Sequence, residues 1–253
     1  MKTKVVLFGF LLLCMGALTA QNQRQTMIPL IGSKAPSFTA ESTFGTLNFP
    51  EDFGKSWKIL FSHPRDFTPV CTTEIMELSR LQKQFEALDV KFAVLSADSK
   101  YRHLLWIKSI NEILSADKIP TQINFPMIAD SLGDASNLYG MIHPSASNTK
   151  TVRGVFILDP DNIVQTVLYY PMSVGRNMNE IVRTVEALQT VAETHLSTPA
   201  NWEPGHDLVV PRYPYSPEDV ENSPALTEDF YRVGAFLWFK KAAKPKLKEE
   251  NSH

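Results

Sequence analysis

The residues of this 253-residue chain that could do covalent chemistry gather around one thiol, Cys71. It closes the stretch His63-Pro64-Arg65-Asp66-Phe67-Thr68-Pro69-Val70-Cys71, with Thr68 three residues before it and Glu74 three after. Cysteine is useful as a thiolate. The free side chain ionises near pH ~8.5, and a helix N-terminus or a nearby cation favours the ionised form. Cys71 stands where a helix-like pattern begins, so first-turn N–H groups point toward an incoming anion. Thr68 offers a hydroxyl to the sulfur or to a bound oxygen. Pro64 and Pro69 stiffen the connection and could shield the thiolate. A helix dipole supplies only about 0.3–1 kcal/mol at an exposed site, so a guanidinium would do more. Arg153, before the apolar run Val155 to Leu158, is one candidate and Arg65 another, because arginine stays charged and presents a fixed donor fork. Residue types alone also allow a blander reading, in which Cys71 is a small buried hydrophobe and Arg153 a surface charge.

The elements that must position these groups are legible as periodicity. Residues 57–62 read as a buried strand leading into the stretch. Residues 71–88 read as a helix, since Ile75, Leu78, Leu81, Phe85 and Leu88 recur at helical spacing. A strand over 90–97 follows, then a helix over 99–113 with Leu104, Leu105, Trp106 and Ile107 partly buried. A short strand at 125–129 and a short helix at 131–139 come next. Two apolar runs, 154–158 and 163–170, flank Asp159-Pro160-Asp161-Asn162 as a hairpin. A last helix spans 179–196, and a hairpin over 37–49 precedes the whole. Strands alternating with helices predict an α/β core with a mixed sheet and helices on its faces. The order strand, loop, cysteine, helix and closing hairpin resembles a thioredoxin-like fold. Past Thr198 seven prolines change the texture, which predicts a small wrapped C-terminal lobe over 197–239. A basic tail at 240–253 is expected to be disordered.

The first twenty residues differ from the rest. Lys2 and Lys4 precede the apolar run Val5 to Leu13, small residues follow, and a cut fits between Ala20 and Gln21. Residues 1–20 therefore read as a secretory signal peptide, too short in its apolar part for a bilayer span of about 20 residues. Its removal takes two lysines and no acid, leaving 23 basic against 27 acidic side chains. The mature protein would be exported, periplasmic or secreted, with no stable membrane insertion. Cys14 would be lost, so Cys71 would be the sole thiol and no internal disulfide could form. The formal charge of −2 on the full chain implies no nucleic-acid preference. The six histidines show no metal-ligand spacing. With no C-x-x-C pair and no phosphate-binding glycine loop, no metal or cofactor is expected.

Pro64-x-x-x-Thr68-x-x-Cys71 resembles the active-site motif of peroxiredoxins. The longer run from Ser62 to Glu74 is similar to the one-cysteine, peroxiredoxin 6 type subfamily. Residues 151–160, Thr-Val-Arg-Gly-Val-Phe-Ile-Leu-Asp-Pro, resemble the family's second motif, which carries its arginine. Residues 169–177 resemble the segment that follows it. The likeness covers about residues 29–235, with a peroxiredoxin domain over 29–196. It implies that Cys71 is the peroxidatic cysteine, attacking hydrogen peroxide or an organic hydroperoxide and becoming a sulfenic acid. It implies further that Thr68, Arg153 and the N–H groups near Val70 and Cys71 polarise the O–O bond, and that Pro64 shields the sulfur. His63, Val70 and Glu74 would line or tune the pocket. With one thiol, an external thiol must reduce the sulfenic acid, or a disulfide must form with another molecule. The resemblance also implies a homodimer in which the C-terminal lobe reaches over the partner's site. Some members carry a Gly-x-Ser-x-Gly lipase element; here Gly54-Lys55-Ser56-Trp57-Lys58 lacks its last glycine, so Ser56 is expected to be a turn residue. Other readings of the same thiol are a peroxide sensor or chaperone-like switch, and a cysteine hydrolase pairing Cys71 with His63.

Overall fold

A computed structural model describes residues 28–211, 222–223 and 228–242. The expected signal peptide and the tail beyond residue 242 lie outside the described residues.

Seven strands form one mixed sheet in the order β2-β1-β5-β4-β3-β6-β7. They are β1 (Phe38–Ser42), β2 (Gly45–Phe49), β3 (Trp57–Ser62), β4 (Val90–Ser96), β5 (Met127–Ala129), β6 (Arg153–Leu158) and β7 (Val164–Tyr170). The three central neighbours β3, β4 and β5 run parallel, while β6 pairs antiparallel to β3 and β7 closes the sheet antiparallel to β6. This is the thioredoxin-like arrangement with helices packed on the sheet.

Successive side chains of a strand point to opposite faces, and β3 is buried on both. Ile59 and Phe61 join a core with Ile75, Leu78 and Phe85 of α1 (Pro69–Ala87), Trp106 and Ile110 of α2 (Lys100–Ala116), and Ile181 and Val185 of α4 (Met178–Thr194). Leu60, between them, faces a second core with Phe49, Leu95, Tyr139 and Phe156. A strand covered on both sides needs a continuous apolar run, which Ile59-Leu60-Phe61 supplies. The second face also carries α3 (Asp134–Leu138), through Ala135.

Helix α1 starts two residues earlier than periodicity suggests, at Pro69. Proline suits the first helical position because its fixed φ is already helical and its missing N–H would have no partner there. Helix α2 buries His103, Trp106, Ile110 and Leu114, not the leucines at 104 and 105, which are 45% and 43% exposed. The buried stripe starts on a histidine, so a purely apolar reading turns the helix to the wrong face. Strand β5 is confined to three residues, and Phe125 packs in the core ahead of it.

The C-terminal lobe is more regular than its prolines suggest. Strands β8 (Leu208–Val209), β9 (Phe230–Val233) and β10 (Leu237–Lys240) form a second sheet in the order β8-β10-β9. Lys240, assigned from sequence to the tail, pairs with both Leu208 and Phe230. Trp202 and Trp238 are buried. No described helix is long and apolar enough to cross a membrane.

Candidate active site

Strand β3 delivers the chain to the site, and the loop 63–68 turns it into α1. Phe67 adopts a left-handed φ of 58°, a conformation costly for a side chain with a Cβ. It is held by the Arg102 guanidinium 5.2 Å above its ring and by Trp106 at 6.2 Å. That turn lets Asp66 point inward and brings Thr68 to the N-cap of α1. The first intrahelical bond runs from Thr72 N–H to the Thr68 carbonyl at 2.9 Å. The N–H groups of Val70 and Cys71 precede it and have no intrahelical partner, as at any helix start.

Cys71 is the third residue of α1 and is fully buried. Arg153, at the start of β6 and 2% exposed, donates from Nη1 to Cys71 Sγ at 3.2 Å and to Glu74 Oε2 at 2.8 Å. Its Nε donates to the Met172 carbonyl at 3.1 Å, and Nη2 donates to the same oxygen. The guanidinium is thus fixed on three sides. A fixed positive charge is thus held against the sulfur.

Glu74 is the hub. Its Oε1 accepts from the Arg176 backbone N–H at 2.8 Å and from Arg176 Nε at 3.0 Å, and Oε2 accepts from Arg176 Nη2 at 2.7 Å. Burial pushes this carboxyl toward its neutral form, but the charges and hydrogen bonds of Arg176 and the charge of Arg153 hold it below the usual carboxylate range. Arg176 also donates from Nη1 to the Gly154 carbonyl at 2.8 Å and lies 5.4 Å over the Phe61 ring. Sequence reading assigned Arg176 no part, although it lies inside the segment that carried the third resemblance. The available signal was a second arginine after the hairpin, close enough to share one acid.

The remaining residues fall at different depths. Thr68 is half-buried, and its hydroxyl donates to the Arg65 carbonyl at 2.8 Å. Its bonding here is local to the loop, with the oxygen's lone pairs left for a ligand. Pro64 is buried and Val70 half-buried; Arg65 is exposed, so Arg153 is the cation on the sulfur. Ser56 donates to Asp89 Oδ1 at 2.7 Å, a turn role.

His63 belongs to a buried cluster that sequence reading missed. Asp66 Oδ1 lies 2.8 Å from His63 Nε2, and Asp66 Oδ2 lies 2.8 Å from His103 Nδ1. The Ile128 carbonyl can only accept, so His103 Nε2, 3.1 Å away, carries a proton. Burial favours neutral Asp66, but the hydrogen bonds from His103 and His63 bring its pKa below the ordinary value. Burial lowers the pKa of His63 and keeps its ring neutral. A neutral ring that donates from Nε2 has an unprotonated Nδ1, and that nitrogen has no hydrogen-bond partner. His63, Asp66 and Asp98 hold ligand atoms within 4.8 Å of one another. Arg102 Nε sits 2.9 Å from Asp98 Oδ1, however, Asp98 Oδ2 accepts from the Asp66 N–H, and His63 Nε2 is bonded to Asp66 Oδ1. No metal is assigned there. A groove of about 450 Å³ between α4 and the small sheet is lined by Glu186, Trp202 and His206, and by none of the residues around Cys71.

The chain matches the AhpC/TSA family model over residues 31–167 and the model for the C-terminal domain of 1-Cys peroxiredoxin over residues 187–222. It is 46% identical over 213 residues to a peroxiredoxin of Methanosarcina mazei, covering 84% of this chain and 96% of that one. A peroxiredoxin of Aquifex aeolicus is 44% identical over 177 residues, covering 70% and 78%. Among solved structures, a yeast mitochondrial 1-Cys peroxiredoxin, described with a thiol-resolving mechanism through glutathione and thioredoxin systems, superposes with a TM-score of 0.74 at 36% identity. That match covers 85% of this chain and all of the other. A cysteine-to-serine mutant of peroxiredoxin 6 from Arenicola marina gives 0.74 at 32% identity, covering 85% and 99%.

Proposed function

Because the chain belongs to the AhpC/TSA family of peroxiredoxins, which are thiol-dependent peroxidases, we propose that Cys71 is its peroxidatic residue and works by a one-cysteine cycle. The observation that carries this reading is the Arg153 Nη1–Cys71 Sγ contact of 3.2 Å at the first turn of α1. The thiolate attacks the terminal oxygen of a hydroperoxide. An S–O bond forms, the O–O bond breaks, and the sulfur is oxidised to a sulfenic acid. The leaving oxygen departs as an alkoxide, or as hydroxide from hydrogen peroxide, and takes up a proton to become alcohol or water. Arg153 and the free N–H groups of Val70 and Cys71 stabilise the charge that develops on that oxygen, in the manner of an oxyanion hole. Thr68 holds the peroxide through its hydroxyl oxygen, and Pro64 keeps bulk water from the sulfur.

Cys71 is the one free thiol among the described residues. The sulfenic acid is resolved by a thiolate from outside: it forms a mixed disulfide with Cys71 and releases hydroxide. A second thiol then restores Cys71. Stopped-flow mixing with hydrogen peroxide, followed by tryptophan fluorescence, tests the first half. Fast one-to-one oxidation, absent in Cys71→Ser, is expected, and oxidation no faster than free cysteine would refute it. Turnover only with added thiol tests the second half and separates an enzyme from a single-use sensor.

Two further parts of the reading rest on sequence. The protein is exported after loss of residues 1–20, and it is a homodimer. Among the described residues β7 pairs with one strand, β6, and beyond Val164, which bonds to Gly32 and Ser33, its outer edge is available to a second copy. Light scattering that gave a monomer mass at micromolar concentration would exclude the dimer.

A further inference from the structure

The antiparallel ladder between β3 and β6 ends on the pair Phe61–Val155, one step short of the site. Beyond it, two side-chain hydroxyls join the strands. Ser62 Oγ donates to the Val152 carbonyl at 2.7 Å and accepts from the Gly154 N–H at 2.8 Å. Thr151 Oγ1 donates to the His63 carbonyl at 2.8 Å. All of these residues are buried.

The geometry gives Ser62 a particular reach. Its one oxygen touches the peptide groups on both sides of Arg153, the carbonyl before it and the amide after it. The backbone torsions of Arg153 lie between those two groups, and they set the direction in which its side chain leaves the strand. The Gly154 N–H also lies 3.2 Å from the Val152 carbonyl, a three-residue closure over Arg153. The fit is close: a Cβ on Gly154 would stand 3.0 Å from Ser62 Oγ and 3.3 Å from Tyr169 Cε1. The far end of Arg153 is held separately by Glu74 and the Met172 carbonyl.

We propose that Ser62 is a positioning residue for the reaction at Cys71, its hydroxyl fixing the backbone at Arg153 and hence the aim of the guanidinium at the sulfur, with Thr151 as a second tie. This rests on the reading of Cys71 as the reacting thiolate and Arg153 as its cation. A misplacement of about 1 Å at a catalytic group can cost ~100-fold in rate, so the loss of one tie is large enough to read.

The test is a double-mutant cycle on the rate constant for oxidation of full-length protein by hydrogen peroxide. Ser62→Ala is expected to lower that rate about tenfold or more in the parent, but by less than about twofold in an Arg153→Gln background, where no guanidinium remains to aim. Ser62→Thr, which keeps the oxygen, is expected to recover most of the loss. Equal losses in both backgrounds, or no loss with Ser62→Ala, would overturn the proposal. Should Ser62→Ala fail to fold by near-UV circular dichroism, Thr151→Val enters the same cycle with the same criterion: coupling to Arg153 supports the clasp and independence overturns it. A parent no faster than free cysteine would instead refute the reading of Cys71, so the two failures are distinct.

Discussion

Arg153 and Glu74 are joined through the same nitrogen that faces the thiol: Nη1 is 2.8 Å from Glu74 Oε2 and 3.2 Å from Cys71 Sγ. The carboxylate therefore keeps the guanidinium in register with the sulfur, and Arg176 keeps the carboxylate in place from the other side. Replacing Arg153 by Lys preserves charge and loses the fork. The ammonium cannot meet Glu74, Met172 and Cys71 together. The rate constant with hydrogen peroxide is expected to fall by about 100- to 1,000-fold, the effect of losing one well-placed donor to a developing oxyanion. Stopped-flow fluorescence measures it, and a loss under threefold would contradict the role.

Glu74→Gln leaves two buried guanidinium groups without their shared counter-charge. Breaking a buried pair from one side costs about 3–5 kcal/mol. Urea unfolding at neutral pH should show a loss of that order. A loss below about 1 kcal/mol, the usual worth of an exposed pair, would mean that water already reaches the network.

Acid should destabilise the protein in two stages. His63 is held neutral by burial, with its pKa below the ordinary ~6.5. Between the folded and unfolded values the unfolded chain binds the extra proton. This contribution is therefore complete above about pH 6.5 and declines as pH falls toward the folded value. Glu74 is also depressed, so its contribution is complete above about pH 4.3 and is lost as pH falls through its lower folded value. Urea midpoints between pH 8 and pH 3 would show both stages. His63→Gln should flatten the upper one and Glu74→Gln the lower; a midpoint that rises on acidification to about pH 5 would contradict the assignment of His63.

With residues 1–20 removed as proposed, Cys71 would be the one thiol left, and peroxide alone should add oxygen to it and form no disulfide within the chain. Mass spectrometry of the oxidised protein is expected to find the added oxygen on the peptide containing Cys71. Adding a small thiol should convert the sulfenic acid to a mixed disulfide and then back to thiol. An intrachain cross-link to Cys14 would show that residues 1–20 are retained, against the proposed export. N-terminal sequencing of the exported protein should begin at Gln21.

Much of this site was legible in the residues, and what was missed has a physical reason. Cys71, Thr68 and Arg153 stood in motifs with fixed spacing, and the strands around them showed in runs such as Ile59-Leu60-Phe61. Arg176 was harder because its role is to fix an acid 102 positions away, a pairing only the fold creates. His103 was missed because polar residues are expected on the wet face of a helix, whereas here Asp66 and Ile128 satisfy both ring nitrogens in the interior. Ser62 reads as the unremarked end of a strand until the ladder is seen to stop beside it. The small C-terminal sheet was obscured by prolines, which mark breaks in regular structure but do not exclude short strands between them.

The shared carboxylate also sets how charge would change through the proposed cycle. Two guanidinium groups face one carboxylate, so the buried cluster holds one surplus positive charge while the sulfur is protonated. A thiolate at Cys71 would make the cluster neutral, which suits an uncharged hydroperoxide. Transfer of oxygen would remove the sulfur's charge as the alkoxide or hydroxide leaves, and the surplus would return. The oxidised protein would then hold an uncompensated positive charge beside Cys71, and a reducing thiolate is an anion. Further oxidation to a sulfinate would restore neutrality without any reductant. The arrangement that draws in the reductant would therefore also stabilise the inactivated form, and which outcome prevails is set by the concentrations of thiol and peroxide.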